Sequence, residues 1–354
     1  MPARILGMGW VTPLGADLAT VWQRLAAAEP PEPKVLTNPE TGALHSYLAV
    51  PPKLVDHLAR NPRLRRSSAI SYYAVAAGLA ALEDAGLTLD AASASRTAVV
   101  FAICDGGVIY TRKFYEQIVK QGANAASPLL FPETVYNAPA SHLSALLGID
   151  GASYTLVGDN SVGLAALKFA EQLLALSDID HVIVVGAEEI DWVICEAYRD
   201  WRLARTSAPP RADAPWKAWL GEGAAALVLA REGSIAVEAV HTGVAFQRRA
   251  DAPGAIDRVL AELATGGDAQ RMMSCANGTF ADPAEAAAVA RHFPTAMQHS
   301  LKLKRSLGEA PGASALLQVI AAACECRLGQ SERVLVPVMG FNQQASAAII
   351  ARAG

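Results

Sequence analysis

The stretch VGLAALKFAEQLLALSDIDHVIVVG, residues 162–186, combines two patterns that decide the fold class. In its first part, 162–176, Leu164, Leu167 and Leu174 recur at helical spacing, which predicts a helix with one apolar face. Its second part, 181–186, is an uninterrupted apolar run typical of a strand that is buried on both faces. A helix that leads into a buried strand is the repeating unit of an α/β fold with a largely parallel sheet.

The same alternation extends in both directions from this stretch. Apolar runs at 97–103, 225–230 and 334–338 predict further buried strands. Residues 71–85 show helical periodicity, and one face of this predicted helix carries Tyr72, Ala76, Leu79 and Leu82. We expect one compact α/β unit with an N-terminal half, residues 1–235, and a C-terminal half, residues 236–354.

The composition narrows the classes of function. Of the 354 residues, 52% are hydrophobic and 18% are charged, which excludes intrinsic disorder and favours a large buried core. The formal net charge of -4 offers no basic excess for phosphate groups, so no nucleic-acid partner is expected. The amino terminus lacks the pattern of a secretion signal, and no apolar run is long enough for a bilayer. We therefore expect a cytoplasmic protein without a membrane span.

The five cysteines are too scattered to form a recognisable metal motif. Only Cys324 and Cys326 lie close together, and no second Cys or His pair accompanies them. The sequence also lacks a glycine-rich phosphate loop after a strand. We interpret the cysteines as buried reduced thiols and predict neither a metal nor a cofactor.

Several segments occur in an order and spacing that match a known family. They are GMGWVTPLG at 7–15, AALEDAGL at 80–87, 132–148 with Asn137 and His142, 154–164, HVIVVGAEE at 181–189, LGEGA at 220–224, Lys304 with Gly312, and the closing Gly340 and Phe341. In these segments the sequence resembles the β-ketoacyl-acyl-carrier-protein synthases of fatty acid and type II polyketide synthesis. The resemblance implies a thiolase-like fold duplicated into α-β-α-β-α layers, a dimer, and acyltransferase chemistry.

The three catalytic positions of that family hold other side chains here. The family acylates a cysteine at the start of a buried helix and uses two histidines to hold the malonyl thioester during decarboxylation. The resemblance places Asn160 at the cysteine position, and Asn277 and Glu309 at the two histidine positions. Because a carboxamide cannot form an acyl-enzyme, we predict that no catalytic residue of condensation is intact.

The resemblance also implies that three further residues contact an acyl substrate, namely Lys304, Thr279 and Phe341. The corresponding phenylalanine of the family gates the acyl pocket and precedes two glycines, whereas Asn342 and Gln343 follow Phe341 here. Glycine supplies the flexibility that gating requires. We therefore predict that Phe341 is a fixed wall of the pocket.

The leading hypothesis is a catalytically silent subunit of the chain-length-factor type. In the family such subunits lack the active cysteine and form a heterodimer with an active ketosynthase, which works with an acyl carrier protein. They operate in polyketide and aryl polyene pathways related to fatty acid synthesis. The loss of three catalytic side chains on a retained framework favours this hypothesis, which predicts no condensing activity by the chain alone.

Two alternatives remain open. In the first, the chain is a repurposed enzyme in which Ser161, beside Asp159, is the nucleophile of a thioester hydrolase or acyltransferase, or in which Asn160 mimics an acylated cysteine in a malonyl decarboxylase. Ser161 is equally suited to cap the helix that follows it. In the second, the chain is a homodimeric scaffold that holds an acidic carrier protein on a basic cluster. That cluster, for which a solvated helix face is the simpler interpretation, consists of Arg60, Arg63, Arg65 and Arg66.

Overall fold

The computed structural model describes residues 2–30, 32–205, 216–341 and 344–353. Strands and helices alternate through these ranges, and the predicted α/β class is confirmed. The strands that the described residues form are β1 Arg4–Val11, β2 Lys34–Thr37, β3 Leu44–Tyr47, β4 Thr97–Ile103, β5 Ser153–Val157, β6 His181–Glu188, β7 Gly223–Ala230, β8 Ile235–Ala245, β9 Arg271–Met273, β10 Ser300–Leu301, β11 Arg333–Met339 and β12 Gln344–Arg352.

The helices surround and separate these strands. Within the described ranges they are α1 Leu18–Ala26, α2 Ala69–Asp84, α3 Ala91–Ser95, α4 Val108–Gln121, α5 Ala138–Leu147, α6 Val162–Leu173, α7 Trp192–Asp200, α8 Ala252–Leu263, α9 Ala281–His292, α10 Pro294–Gln298, α11 Lys304–Leu307 and α12 Ser314–Arg327. No helix in these ranges combines the length and the apolar character that a bilayer span requires.

Ten strands form one mixed sheet with the order β10-β9-β11-β12-β8-β1-β7-β6-β4-β5. One run of neighbours, β1 with β4 to β7, comes from the first part of the chain, and the other run, β8 to β12, comes from the second. The two runs join where Arg4 and Ile5 of β1 pair with Ala236 and Ile235 of β8. The boundary between residues 235 and 236 stays a prediction, and it falls at the start of β8. At the far end of the sheet, β5 pairs with β4 and leaves its other edge open.

Each of the two strand runs has a hydrophobic core on both of its faces. The helices and the strand runs therefore form five layers. Helices α2 and α5 pack on the outer face of the first run, and α8 and α9 pack on the outer face of the second. Helices α6 and α12 occupy the central layer between the inner faces. Every residue of α12 from Ser314 to Cys326 is buried, as expected for a helix that is enclosed on all sides. The molecule thus has the duplicated α-β-α-β-α arrangement that the resemblance implies.

A glycine lets the two central helices approach each other closely. A Cβ atom added to Gly163 of α6 would lie 3.0 Å from the Cβ of Ala315 and 3.1 Å from the Cγ of Leu316, both in α12. Since real Cβ atoms rarely make such short contacts, this position accepts a larger side chain only if the helices move apart. This contact fixes the position of the first helical turn of α6. The loop that precedes α6 holds the first residues of the candidate site.

Most predicted elements are confirmed, but one residue of a predicted helix face is exposed. The predicted strands lie within β4, β6, β7 and β11, and α6 matches the predicted helix except for its last three residues. Helix α2 is also present. On its predicted face Leu82 is buried and Tyr72 and Ala76 pack on the core, whereas Leu79 is 37% exposed. Because α2 is apolar around most of its circumference, periodicity alone did not identify Leu79 as an exposed residue.

Candidate functional site

The turn between β5 and α6 holds Asn160, the residue that the resemblance assigns to the nucleophile position. Strand β5 ends at Val157 and α6 begins at Val162, so Asn160 lies just before the helix. Asn160 is fully buried, and neither its Nδ2 nor its Oδ1 has a hydrogen-bond partner among the described residues. A buried amide without partners costs about 1–3 kcal/mol. The amide therefore keeps its full hydrogen-bonding capacity for a molecule that enters the site.

Ser161 follows at the N-cap position of α6, but its side chain makes no capping hydrogen bond. Its Oγ lies 2.7 Å from Oδ1 of Asp159 and 2.9 Å from Oε1 of Gln344, the first residue of β12. A hydroxyl group has one proton, so Ser161 donates to one of these two acceptors at a time. The side chain is 1% exposed. Ser161 thus has a carboxylate within hydrogen-bond distance, which is the geometry that an activated serine needs.

The loop after β11 packs directly on this turn. A Cβ atom at Gly340 would lie 1.7 Å from Oδ2 of Asp159, a distance at which no side chain fits. Because Gly340 has no side chain, the loop leaves room for the Asp159 carboxylate, which lies within hydrogen-bond distance of the Ser161 hydroxyl. Sequence reasoning missed Gln344 as a neighbour of Ser161, because the two residues are 183 positions apart and no local pattern connects them.

Asn277 and Glu309, which the resemblance assigns to the two histidine positions, are joined by a hydrogen bond. Nδ2 of Asn277 donates to Oε2 of Glu309 at 2.9 Å, and Nζ of Lys304 donates to the same oxygen at 2.7 Å. On the other side, the Thr279 hydroxyl donates to Oδ1 of Asn277 at 2.6 Å. Asn277, Lys304 and Glu309 are 0%, 3% and 1% exposed. The structure thus joins four of the predicted site residues in one buried network.

Lys304 supplies the positive charge of this network. Burial lowers the pKa of Lys304, but the nearby acidic groups, Glu309 first, outweigh burial and raise the pKa above its usual value. The ammonium group is therefore retained, and it is the counter-charge of the Glu309 carboxylate. The second carboxylate oxygen, Oε1 of Glu309, is buried without a hydrogen-bond partner among the described residues.

Backbone contacts with the segment before β7 hold Glu309 in place. The Glu309 N–H donates to the Trp219 carbonyl at 2.8 Å, and the Gly221 N–H donates to the Glu309 carbonyl at 2.9 Å. The preceding residue, Gly308, has φ +76° and lies so close to Trp219 that a Cβ atom would meet the carbonyl oxygen at 2.9 Å. Glycine adopts this left-handed conformation without strain. The chain direction at Glu309 therefore depends on Gly308.

Phe341 lies beside α7. Its ring centroid is 5.7 Å from that of Tyr198, with an interplanar angle of 70°. It packs on a small apolar cluster that includes Cys195 and Leu220. Asn342 and Gln343, on which the comparison with a gating loop depends, lie outside the described residues. The role of Phe341 as a pocket wall stays a prediction.

Two further polar residues, His142 and Cys275, make contacts that are typical of a structural role. Nε2 of His142 lies 2.6 Å from Oε1 of Glu133 and 3.2 Å from Oγ of Ser67, so its ring is held by polar partners. Cys275 is 1% exposed, and burial together with Glu285 raises the pKa of its thiol well above the usual value. Because the thiolate is the reactive form, a thiol held in its protonated form is a poor nucleophile.

The site residues fall into two networks. One contains Ser161 with Asp159, and the other contains Glu309 with Lys304, Asn277 and Thr279. Asn160 has no hydrogen bond to either network in the described part of the chain. Chemically, the site can bind polar atoms through amides and can stabilise charge with Lys304, but Asn160, Asn277 and Glu309 offer neither a thiol nor an imidazole.

Solved structures define the class of this fold. The ishigamide ketosynthase/chain length factor matches with a TM-score of 0.81 over 100% of both chains at 20% identity. The ketosynthase ApeO in complex with its chain length factor ApeC, from Xenorhabdus doucetiae, matches with a TM-score of 0.79 at 17% identity, covering 99% of this chain and 98% of that chain. The protein therefore has the thiolase-like fold of the ketosynthases.

Sequence comparison identifies the family within this class. The family model described as the β-ketoacyl synthase N-terminal domain matches residues 2–234. The 3-oxoacyl-[acyl-carrier-protein] synthase 2 of Vibrio cholerae serotype O1 is 26% identical over 260 residues. This match covers 68% of the present chain and spans 62% of the length of that relative. The chain belongs to the β-ketoacyl synthase family.

Proposed function

We propose that this protein is a non-condensing subunit of the chain-length-factor type that pairs with an active β-ketoacyl synthase. The observation that carries the proposal is the chemistry at the three family positions. Asn160 offers no thiol for acylation, and Asn277 and Glu309 offer no imidazole. Glu309 is also held in a buried ion pair with Lys304, and an imidazole at that position would not provide this pairing. The remaining task of such a subunit is to shape a shared pocket and to hold its partner.

An exposed apolar surface supports a protein partner. Strand β5 has an open edge, and its residues Tyr154 and Val157 are 42% and 55% exposed. Further exposed apolar side chains stand on α4 and on the turns that follow it: Tyr115, Val119, Leu129, Phe131, Val135 and Tyr136. Open strand edges and large apolar patches are typical of protein interfaces. The two solved relatives described as ketosynthase with chain length factor favour the same kind of pairing here.

The decisive experiment combines native mass determination with a condensation assay. The tagged chain is expressed alone and together with a cysteine-containing ketosynthase encoded nearby, and both preparations receive acyl and malonyl carrier protein. We expect a one-to-one heterodimer and condensed product only in the co-expressed sample. The variant Asn160→Cys is the matched control, and it is expected to remain inactive alone because both histidines are still missing. Condensation by the wild-type chain alone would overturn the proposal.

The Ser161–Asp159 contact favours a second candidate, a thioester hydrolase or acyltransferase on the same scaffold. In this candidate the Ser161 hydroxyl attacks the thioester carbonyl and Asp159 takes its proton. The C–S bond then breaks, the carrier thiol leaves with that proton, and water or an acceptor alcohol cleaves the acyl-serine ester. The test is hydrolysis of acyl carrier protein thioesters by wild type and Ser161→Ala. Unchanged turnover in the variant removes the serine from the mechanism. Release of carbon dioxide from malonyl carrier protein, lost in Asn160→Ala, would indicate the decarboxylase alternative instead.

A basic surface offers a site for an acyl carrier protein. Arg60, Arg63, Arg65 and Arg66 are all exposed, and within the described ranges none of them forms an ion pair. Carrier proteins are acidic, so electrostatic attraction to this surface accelerates encounter and weakens with salt. Charge reversal of Arg65 and Arg66 is expected to weaken binding of a carrier protein in a titration at low salt. Reversal of Arg248, which is 80% exposed elsewhere on the surface, is the control.

A further inference from the structure

Strands β4 and β6 bring three ligating side chains to the same end of the sheet. The two strands pair in parallel, with Ala102 opposite Gly186. Continuing this pairing places Cys104 and Asp105, just after β4, beside Glu188 at the end of β6. One ligand atom from each of these three residues lies within 4.8 Å of the other two. We refer to Cys104, Asp105 and Glu188 as the β4–β6 cluster.

The carboxylates of the β4–β6 cluster are each fixed through one oxygen only. Glu188 is 0% exposed, and its Oε2 accepts hydrogen bonds from the Gly312 N–H at 2.9 Å and from the Asp105 N–H at 3.4 Å. Oδ1 of Asp105 lies 3.8 Å from Sγ of Cys104. Oε1 of Glu188 and Oδ2 of Asp105 are buried and have no hydrogen-bond partner in the part of the chain that the structure describes. Both carboxyl groups therefore have an unused oxygen available for a ligand.

The β4–β6 cluster also lacks a counter-charge. The groups in contact with the two carboxyls are backbone N–H groups and the Cys104 thiol, and within the described residues no Lys, Arg or His forms an ion pair with them. Burying several acids together without a cation is costly, so the environment favours a bound positive charge.

The donor set selects the kind of cation. One sulfur and two carboxylate oxygens suit Zn²⁺, which binds such atoms at about 2.0–2.3 Å in tetrahedral geometry. In that geometry the ligand atoms lie about 3.5 Å apart, so the three side chains close on the ion by about 1 Å. The Cys104–Asp105 distance is already 3.8 Å.

We infer that Cys104, Asp105 and Glu188 form a Zn²⁺ site that is separate from the condensing positions, with water completing the coordination. On binding, the thiol proton leaves to solvent and the thiolate bonds to the metal. The Gly312 N–H keeps the Glu188 carboxylate in position, as groups around a metal ligand commonly do. The ion ties the end of the sheet to the segment that precedes α12.

This inference departs from the sequence prediction of no metal. Asp105 and Glu188 are 83 positions apart, and Cys104 has no second cysteine or histidine near it in the sequence. The three ligands therefore form no motif that can be recognised in the sequence. The parallel pairing of β4 with β6 brings them together in the folded chain.

The test measures metal binding directly on the full chain. Purified protein is incubated with Zn²⁺, desalted and analysed for metal content, and Co²⁺ is then used as a probe because a cobalt–thiolate bond gives a charge-transfer band in the near ultraviolet. We expect one Zn²⁺ per chain and the cobalt band in wild type. Cys104→Ser is expected to lose the band, and Glu188→Gln to weaken Zn²⁺ binding by about 100-fold or more, since even changes around a metal ligand cost 10–100-fold.

Two controls keep the result interpretable. Cys195→Ala removes another buried thiol that lies outside the β4–β6 cluster, and it is expected to retain the band and the stoichiometry. Asp105→Asn is a nearly isosteric second variant in case Glu188→Gln does not fold. Absence of stoichiometric Zn²⁺ in wild type, or an equal cobalt band in Cys104→Ser, would overturn the inference. Metal-free protein that is stabilised by Asp105→Asn, together with no Zn²⁺ uptake in wild type, would show that the two carboxyls share a proton instead.

Discussion

At the level of single residues, Lys304 and Glu309 form a buried ion pair whose members depend on each other. Both side chains are almost fully buried, and Nζ of Lys304 lies 2.7 Å from Oε2 of Glu309. Removing one member of a buried ion pair leaves an uncompensated charge, whereas replacing both members with apolar groups is often tolerated. The stability of this site should therefore depend on whether the two residues are changed singly or together.

We expect Glu309→Leu to lower the free energy of unfolding by about 3–5 kcal/mol, because it leaves the Lys304 ammonium group buried and unpaired. The double variant Lys304→Met/Glu309→Leu should recover most of this loss. Urea unfolding of the wild type, both single variants and the double variant measures the coupling. Asp251→Asn, which breaks the exposed Arg248–Asp251 pair, is the control and should leave the midpoint nearly unchanged. Additive losses in the double variant would contradict the ion-pair interpretation.

At the level of elements, the contact between the two central helices depends on Gly163. An added Cβ atom would lie 3.0 Å from Ala315. Overpacking of this kind costs about 1–3 kcal/mol, which exceeds the gain in helix propensity from glycine to alanine. We expect Gly163→Ala to destabilise the protein in urea unfolding. The control is Gly254→Ala in α8, where an added Cβ atom meets nothing within 4 Å and should stabilise slightly. Equal effects of the two substitutions would refute tight packing between α6 and α12.

Glu222 connects three elements and makes stability depend on pH. Its carboxyl group accepts hydrogen bonds from the N–H groups of Val50 and Ile190 and from the Tyr73 hydroxyl. Burial nevertheless raises the pKa of Glu222 from 4.5 to about 7. The folded state therefore binds this proton more tightly than the unfolded state does. The resulting stabilisation is complete below pH 4.5 and is lost as the pH rises through about 7.

The variant Glu222→Gln removes this titration. The difference in unfolding free energy between wild type and variant should fall between pH 4.5 and 7 with a slope of up to about 1.4 kcal/mol per pH unit. Urea unfolding at a series of pH values measures the difference. Burial raises the pKa of Glu189 to about 7 as well, and the nearby Glu222 carboxylate adds to this shift, so the comparison is repeated in a Glu189→Gln background. Parallel stability curves for the two proteins would contradict the upward shift of the Glu222 pKa.

The elements were predicted better than the contacts between them. Continuous apolar runs identified β4, β6, β7 and β11, since a strand buried on both faces needs no partner to be recognised. The packed face of α2 was predicted only in part, because Leu82 is buried as expected while Leu79 is exposed. At the site, the sequence singled out Asn277, Lys304 and Glu309 one by one but did not predict that they form one network. Asn277 meets Glu309, and Ser161 meets Gln344, only in the folded state, because these residues are 32 and 183 positions apart.

At the level of the whole molecule, the open edge of β5 predicts how the subunit assembles. Val157 is 55% exposed, so Val157→Asp removes no buried contact within the chain. If β5 contributes to the proposed heterodimer, this substitution places a charge in a buried interface and should abolish co-purification with the ketosynthase. Unfolding midpoints of the isolated wild type and variant should agree. Leu328→Asp, at a residue that is 59% exposed beyond α12, is the matched control and should leave the complex intact. An intact complex with Val157→Asp would place the interface elsewhere.

The enclosed position of α12 has a consequence for the order of synthesis on the ribosome. Helix α6, complete at Leu173, packs against α12, whose last residue is Arg327. At about 5–20 residues per second, translation separates these two events by roughly 8–30 s. During this interval the nascent chain completes the strands of its first half, but α6 alone of the two central helices is present to cover their inner face. Chaperones that shield apolar surface during translation should therefore contact this protein until α12 emerges from the exit tunnel.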